Sequence, residues 1–190
     1  MAAAATVGFL TARSQNRLGA VMVAGPRVHV LPPRSGKNQV RAILASLATP
    51  PPSEGAGRAD LAGALDRVGA IVAVLSDFLG DAWVGPLGRP GIRHDLLAIP
   101  ISDPREHDVP PIGLVELVDP ATGARREIRV TAKVQQRFIA AAAEARDRRY
   151  ADLRRSGAEV IGLSTDEDWL AAIVKHVQRK RVQAVHGGVM

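Results

Sequence analysis

The chain contains no cysteine, which excludes disulfide bridges and thiolate metal sites. That absence fits a reducing compartment. Aromatic residues make up only 3%, so the core has to be built from Ala, Val, Leu and Ile. Stacking platforms for single-stranded nucleic acid are correspondingly scarce. No apolar run approaches the roughly 20 residues that span a bilayer. The opening MAAAATVGFLTARSQ has no basic leader before its short apolar part, and it reads as helix rather than signal peptide. The expected location is the cytoplasm, with membrane association only through upstream residues or partners. No repeat or low-complexity segment is present.

What is present is an ordinary globular balance. The 190 residues are 46% hydrophobic and 23% charged, with a mean hydropathy of +0.03. That suffices for one packed domain, expected over 1–181 with a flexible tail at 182–190. The net charge is +6 and the pI about 10.7. A basic balance favours an acidic partner: nucleic acid, an anionic membrane or an acidic protein. It does not choose among them, and much of it is arginine along helices, as on a solvated face.

Helical and extended patterns alternate along the chain. Residues 2–17 read as helix and 18–24 as strand. Gly25-Pro26 signals a turn, after which RVHVL (27–31) returns as a second strand, stopped by Pro32-Pro33. Ser35 is placed to cap a helix with Val40, Ile43, Leu44 and Leu47 on one face. After the loop TPPPSEGAG, Leu61, Ala64, Leu65 and Val68 mark a shorter helix. Residues 71–76 read as a buried strand, 82–88 as a helical turn carrying Trp83, and 94–101 as another apolar strand. Residues 113–118 and 127–130 form a strand pair. A long helix follows Thr131, runs to Ser156 and stops at Gly157. Its apolar stripe is Val134, Phe138, Ala142, Ala145, Tyr150 and Leu153, and Glu144 and Arg148 form an i,i+4 pair. Residues 160–163 make a last strand. Thr165 to Asp168 begin a last helix, with Trp169, Leu170, Ile173, Val174 and Val177 inward. Alternation of this kind predicts an α/β fold: a mainly parallel open sheet with helices on both faces.

Asp77 stands where the strand 71–76 stops. In open α/β sheets functional groups gather beyond the carboxyl ends of the strands. An acid there is either a cap for the next turn or one arm of a site that compensates its charge.

Several motifs occur in a fixed order. Ser76-Asp77-Phe78 is followed by Trp83, then Arg93-His94-Asp95, Asp103-Pro104-Arg105-Glu106, Pro110 to Gly113, Asp119-Pro120-Ala121-Thr122-Gly123, and STDEDWLAAI from Ser164 to Ile173. This series resembles a bacterial family known as domain of unknown function 58, over nearly the whole chain. That family is similar to von Willebrand factor A domains, which hold Mg²⁺ in a metal-ion-dependent adhesion site. The resemblance implies such a fold and makes Asp77 the counterpart of one metal ligand. The Asp-x-Ser-x-Ser loop is absent from the chain, and the threonine position holds Ala59. One carboxylate without its neighbours binds Mg²⁺ poorly, so the site is expected to be degenerate, with no cofactor unless upstream residues restore it. A domain of this type also carries a first, central strand, and this chain is expected to lack it, as a truncated reading of a longer protein.

The resemblance further implies a non-catalytic protein-binding role, as adaptor or assembly partner of a MoxR-type AAA+ ATPase. The expected contact surface is Asp77, Phe78, Trp83, Asp103 and Glu106. The alternative is a nucleic-acid-binding protein driven by charge. Candidate anion-binding residues are Arg34 and Lys37 at a helix start, and Lys175, Arg179, Lys180 and Arg181 at a helix end, where they also complement the helix dipole.

Other chemistry falls away. LPPRSGKNQV lacks the first glycine of a phosphate loop, and Lys37 is followed by Asn38 rather than Ser or Thr. The five histidines show no ligand spacing. Asp103, Glu106, His107 and Asp108 are dense in acid, but Pro104, Pro110 and Pro111 make a rigid turn capped by Asp103 the better reading. No Ser/His/Asp arrangement has supporting context, and an enzyme is not expected.

Overall fold

In the computed structural model, the described residues are 4–6, 8, 16–24, 27–49, 63, 71–80, 83–88, 95–118 and 123–176. β1 (Arg17–Ala24) and β2 (Arg27–Ser35) form the expected antiparallel hairpin. β2 does not stop at the prolines. The ladder slips between Leu18 and Ala20, and the bulge absorbs Pro32 and Pro33, which lack the N–H a regular ladder would need. Gly19 suits the tight approach there, since a Cβ would lie 3.1 Å from the Leu31 carbonyl oxygen and press on the backbone.

α1 (Lys37–Ala48) follows with Gly36, not Ser35, at its N-cap, and no side chain caps it. Ser35 remains in the strand, so its hydroxyl is not turned back onto the helix. Val40 and Ile43 are buried as the spacing requires, and Leu44 and Leu47 are half-buried.

The central element is a parallel sheet. β3 (Ile71–Ser76), β4 (Asp95–Ser102), β7 (Glu159–Val160) and β8 (Leu163–Ser164) compose it, with β4 in the middle. β3 pairs along its whole length with one side of β4, from Ile71 opposite Asp95 to Ser76 opposite Pro100. β7 and β8 share the other side. They replace the single strand expected over 160–163, and the Ile161 amide bridges them by donating to the Ala98 carbonyl at 2.9 Å. Among the described residues β3 has a strand partner on one side only.

Side-chain alternation along this sheet feeds two cores. Val72, Val74, Leu96, Ala98 and Val160 point to one face and meet Trp83, Leu87 and Leu153. Leu75, Leu97, Ile99, Ile101 and Ile161 point to the other and meet Trp169, Ala172 and Ile173. Helices therefore cover both faces: α2 (Val84–Gly88) and α3 (Ala132–Arg155) on the first, the helical segment 169–176 on the second. Each fully buried Leu or Ile here contributes about 1.5–3 kcal/mol of transfer free energy.

β5 (Gly113–Val118) and β6 (Arg125–Val130) form a separate antiparallel hairpin. Thr131 then caps α3, its hydroxyl accepting from the Val134 amide at 3.3 Å. The far end of α3 closes in a Schellman motif. Gly157, at φ 83, donates to the Arg154 carbonyl, and the Ala158 amide donates to that of Leu153. Glu144 and Arg148 pair at 3.4 Å on the exposed face.

Two expectations are corrected. In α3 only Leu153 is buried; Val134 and Phe138, predicted as stripe residues, are exposed. In the last helix Leu170 and Val174 are also exposed. That helix begins after Asp168, whose Oδ1 accepts from the Leu170 and Ala171 amides. It therefore starts four residues later than Thr165, and its inward arc is Trp169, Ala172 and Ile173, which leaves Leu170 and Val174, each one residue further round, outside that arc.

Candidate functional site

β3, β4 and β8 run parallel, so their carboxyl ends form one rim. Each ends in a similar polar signature: Ser76-Asp77, Ser102-Asp103 and Ser164-Thr165-Asp166.

The turn after β3 is built around a backbone that side-chain residues rarely adopt. Phe78 has φ 51, the one non-glycine at positive φ among the described residues, a conformation costing on the order of 1 kcal/mol or more. Four hydrogen bonds hold it. The Ser76 hydroxyl accepts from the Phe78 amide at 3.1 Å. Asp77 Oδ1 accepts from the Leu79 amide at 3.0 Å, an Asx-turn. The Trp83 indole N–H donates to the Phe78 carbonyl at 2.9 Å. Arg149 on α3 donates to the Asp77 carbonyl at 3.1 Å. The Phe78 and Trp83 rings meet edge to face, 5.3 Å between centroids and 76° between planes, a favoured aromatic geometry.

Phe78 and Trp83 were expected as surface anchors for a partner. Both are buried, at 2% and 7% exposure, because the left-handed turn folds Phe78 under β3 and the indole follows it. They shape the rim from below and do not present a face to a partner. Asp77 itself is exposed.

The next turn is a short 3₁₀ helix, Pro104–Glu106, capped by Asp103 as the prolines implied. Asp103 Oδ1 accepts from the Arg105 amide at 2.9 Å. Its Oδ2 accepts from the Thr165 hydroxyl at 2.8 Å, which ties the end of β4 to the end of β8. The Ser164 hydroxyl in turn donates to Asp166. Glu106 is exposed beside this turn. Further along the loop, Asp108 accepts from Gln135 Nε2 at 2.8 Å.

Arg34, Lys37 and Lys175 are exposed, while Arg179, Lys180 and Arg181 lie outside the described residues, as do Arg93, His94 and Ala59. His176 lies 2.6 Å from Glu159. It borders an open cleft of about 530 Å³ between 160–162 and the segment 167–176.

The family described as "Protein of unknown function DUF58" matches residues 1–148. The chain belongs to the DUF58 family. Uncharacterized proteins of Mycobacterium tuberculosis (strain H37Rv) and Mycobacterium bovis are 37% identical over 98% of this chain. The chain spans 61% of the length of those two relatives. An uncharacterized Mycobacterium avium protein is 38% identical over 83% of this chain and 97% of its own length. The crystal structure of a conserved hypothetical protein BatB from Bacteroides thetaiotaomicron aligns over 93% of this chain and 87% of its own, with 13% identity and a TM-score of 0.43.

Among the described rim residues of this DUF58 chain, the oxygen ligands do not converge as a magnesium site requires. Asp77 Oδ1 is committed to the Leu79 amide, with the Ser76 hydroxyl a further 3.4 Å contact. Among the described residues no three His, Cys, Asp or Glu side chains come together to hold a metal ion. Mg²⁺ keeps its waters unless several oxygen ligands converge. The arrangement offers instead a hydrogen-bonding ridge, with carboxylates on turns whose backbones are fixed. No helix among the described residues is long and apolar enough to cross a membrane.

Sequence inspection missed Ser76, Arg149 and Thr165. The recurrence of Ser-Asp at strand ends was a usable signal for Ser76, and the STD triplet for Thr165. Nothing local marks Arg149, which reaches Asp77 across 72 positions.

The Arg105 amide, then the Thr165 hydroxyl, hold the Asp103 carboxyl below the usual aspartate range. The folded pKa is the lower one, so this contribution to stability is complete above the unfolded value of about 3.9 and is lost as pH falls through the folded value. Carboxyl carbon shifts followed by NMR should place the Asp103 midpoint below the unfolded value of about 3.9. In Thr165→Val it should rise.

Proposed function

We propose that this chain is a non-catalytic protein-binding domain that uses the carboxyl-end rim of its parallel sheet, with Asp77, Asp103 and Glu106 as contact residues. Its partner in this proposal is an AAA+ ATPase of the MoxR type, and the adhesion-site remnant at Asp77 works without metal. The observation that supports the reading is the turn at Phe78. Four hydrogen bonds and a buried aromatic pair fix an unfavourable backbone there, while the Asp77 side chain stays exposed. A surface held this way loses little entropy on binding.

The test is capture of the MoxR-type ATPase of the same organism on immobilised chain after nuclease treatment. Asp77→Asn keeps an oxygen for the Leu79 amide and removes the charge. It should preserve unfolding behaviour and weaken capture about fivefold, the scale of one exposed charge pair. Capture unchanged in Asp77→Asn and in Asp103→Asn removes the rim from the interaction. The net charge of +6 favours charge-driven nucleic-acid binding as a second reading. Under that reading capture disappears with nuclease, and binding falls steeply with salt.

A further inference from the structure

The positive charge is not spread evenly along the chain. Residues 1–53 hold six Lys and Arg and no Asp or Glu, and the first acid is Glu54. Those six equal the +6 of the whole chain, so everything after them sums to zero. Five of them lie in the described hairpin and helix: Arg17, Arg27, Arg34, Lys37 and Arg41. All five are exposed.

The same hairpin has an open edge. Every residue of β2 is exposed except Leu31. Its one strand partner among the described residues is β1, so no described strand pairs with the alternate N–H and C=O groups on its other side. Val28 and Val30 stand 36% and 39% exposed, and Val23, opposite Val28, 44%. Pro32 and Pro33 lack an N–H and confine any added pairing to residues 27–31.

From these observations we infer that the open edge of β2 is a docking site for an extended acidic segment of a partner protein, which adds to the hairpin as a third strand. Backbone pairing along 27–31 supplies affinity, and the valines receive alternate apolar side chains. Arg27, Arg34 and Lys37 select for acid and steer the encounter. A second copy of the same edge is disfavoured, because its cations would face these cations. Single-stranded nucleic acid finds no Phe, Tyr or Trp over residues 16–49 on which to stack a base. This surface lies on other elements than the rim and does not depend on the partner proposed there.

The test titrates the 190-residue protein with a short peptide alternating Glu and Val. The comparison probes are the same peptide N-methylated at alternate backbone amides, a short DNA duplex, and vesicles containing phosphatidylserine. The unmodified peptide should bind saturably and slow hydrogen exchange at amides within 27–31. Methylation on the edge that faces β2 should weaken binding at least about tenfold, since several backbone bonds are lost. Arg27→Ser, Arg34→Ser and Lys37→Ser combined should weaken it by roughly tenfold as well, the summed effect of three exposed charge pairs. Equal binding of the methylated peptide, protection elsewhere, or no saturable binding overturns the inference. So does tighter binding of duplex or vesicles than of peptide at equal salt. If circular dichroism shows the triple variant unfolded, the methylated peptide on the native chain decides alone.

Discussion

Trp83→Ala is expected to lower the unfolding free energy by about 3–5 kcal/mol, and the midpoint temperature by on the order of 10 °C. Two losses combine. The indole fills the space between α2, β3 and β4, touching the cluster of Val72, Leu87 and Leu96, and alanine would leave that volume empty. Its N–H also satisfies the Phe78 carbonyl in a buried position. Without it an unfavourable backbone at φ 51 keeps its cost and loses one of its restraints. Trp83→Phe separates the terms. It retains most of the apolar surface and the edge contact with Phe78, and should cost about 1–3 kcal/mol for the unpaired carbonyl. Urea unfolding followed by far-ultraviolet circular dichroism measures both variants. A Trp83→Phe protein as stable as the parent would mean that the indole bond does not hold the turn. Phe78→Ala should fall with Trp83→Ala, and the double variant should cost much less than the sum, because the two rings share one contact.

Most of the fold was legible because apolar runs and turn residues are local signals. β3 was placed at its observed bounds from six uncharged residues followed by an acid. α3 was placed from a Thr start and a Gly stop, and both act as caps in the way those residue types usually do. The hairpin β1–β2 followed from alternation around Gly25-Pro26. What failed depended on contacts between distant segments or on the phase of a helix. Pro32-Pro33 is a strong stop signal, and only a bulge in β2 itself, setting the two prolines opposite Gly19, lets the strand run through it. Thr165 resembled a cap in sequence, but its hydroxyl is taken by Asp103, and Asp168 starts the helix instead. Phe78 and Trp83 stood near a strand end in a chain poor in aromatics, which suggested surface anchors. Nothing in the periodicity shows a phenylalanine at positive φ, and that one dihedral decides that both rings turn inward. For the same reason the sequence located the rim at Asp77 without revealing how the carboxylate is used. One of its oxygens answers a backbone amide two residues on, a cap by function, and the side chain remains exposed.

Leu153→Ala should cost about 2–5 kcal/mol, a large effect for a single position in a helix of 24 residues. α3 carries an apolar stripe on paper, yet Val134, Phe138 and Ile139 are 38%, 38% and 42% exposed. The first half of the helix therefore gains little from the core, and the second half does the docking. There Leu153 is fully buried among Val72, Leu87 and Leu96. The Leu153 carbonyl receives the Ala158 amide at 3.2 Å and the Ser156 hydroxyl at 2.7 Å, so the helix stop and the packing are one structure. One turn earlier Arg149 reaches the Asp77 carbonyl. A helix that loosens at Leu153 thus also releases a restraint on the rim. The expected pattern is steep: Leu153→Ala strongly destabilised, Phe138→Ala within about 1 kcal/mol of the parent, as for a half-exposed side chain. In Leu153→Ala, hydrogen exchange at the Leu79 amide should quicken by more than the global loss of stability accounts for. If Phe138→Ala proves as costly as Leu153→Ala, the first half of α3 is held by contacts beyond those described, and the coupling between helix and rim no longer follows.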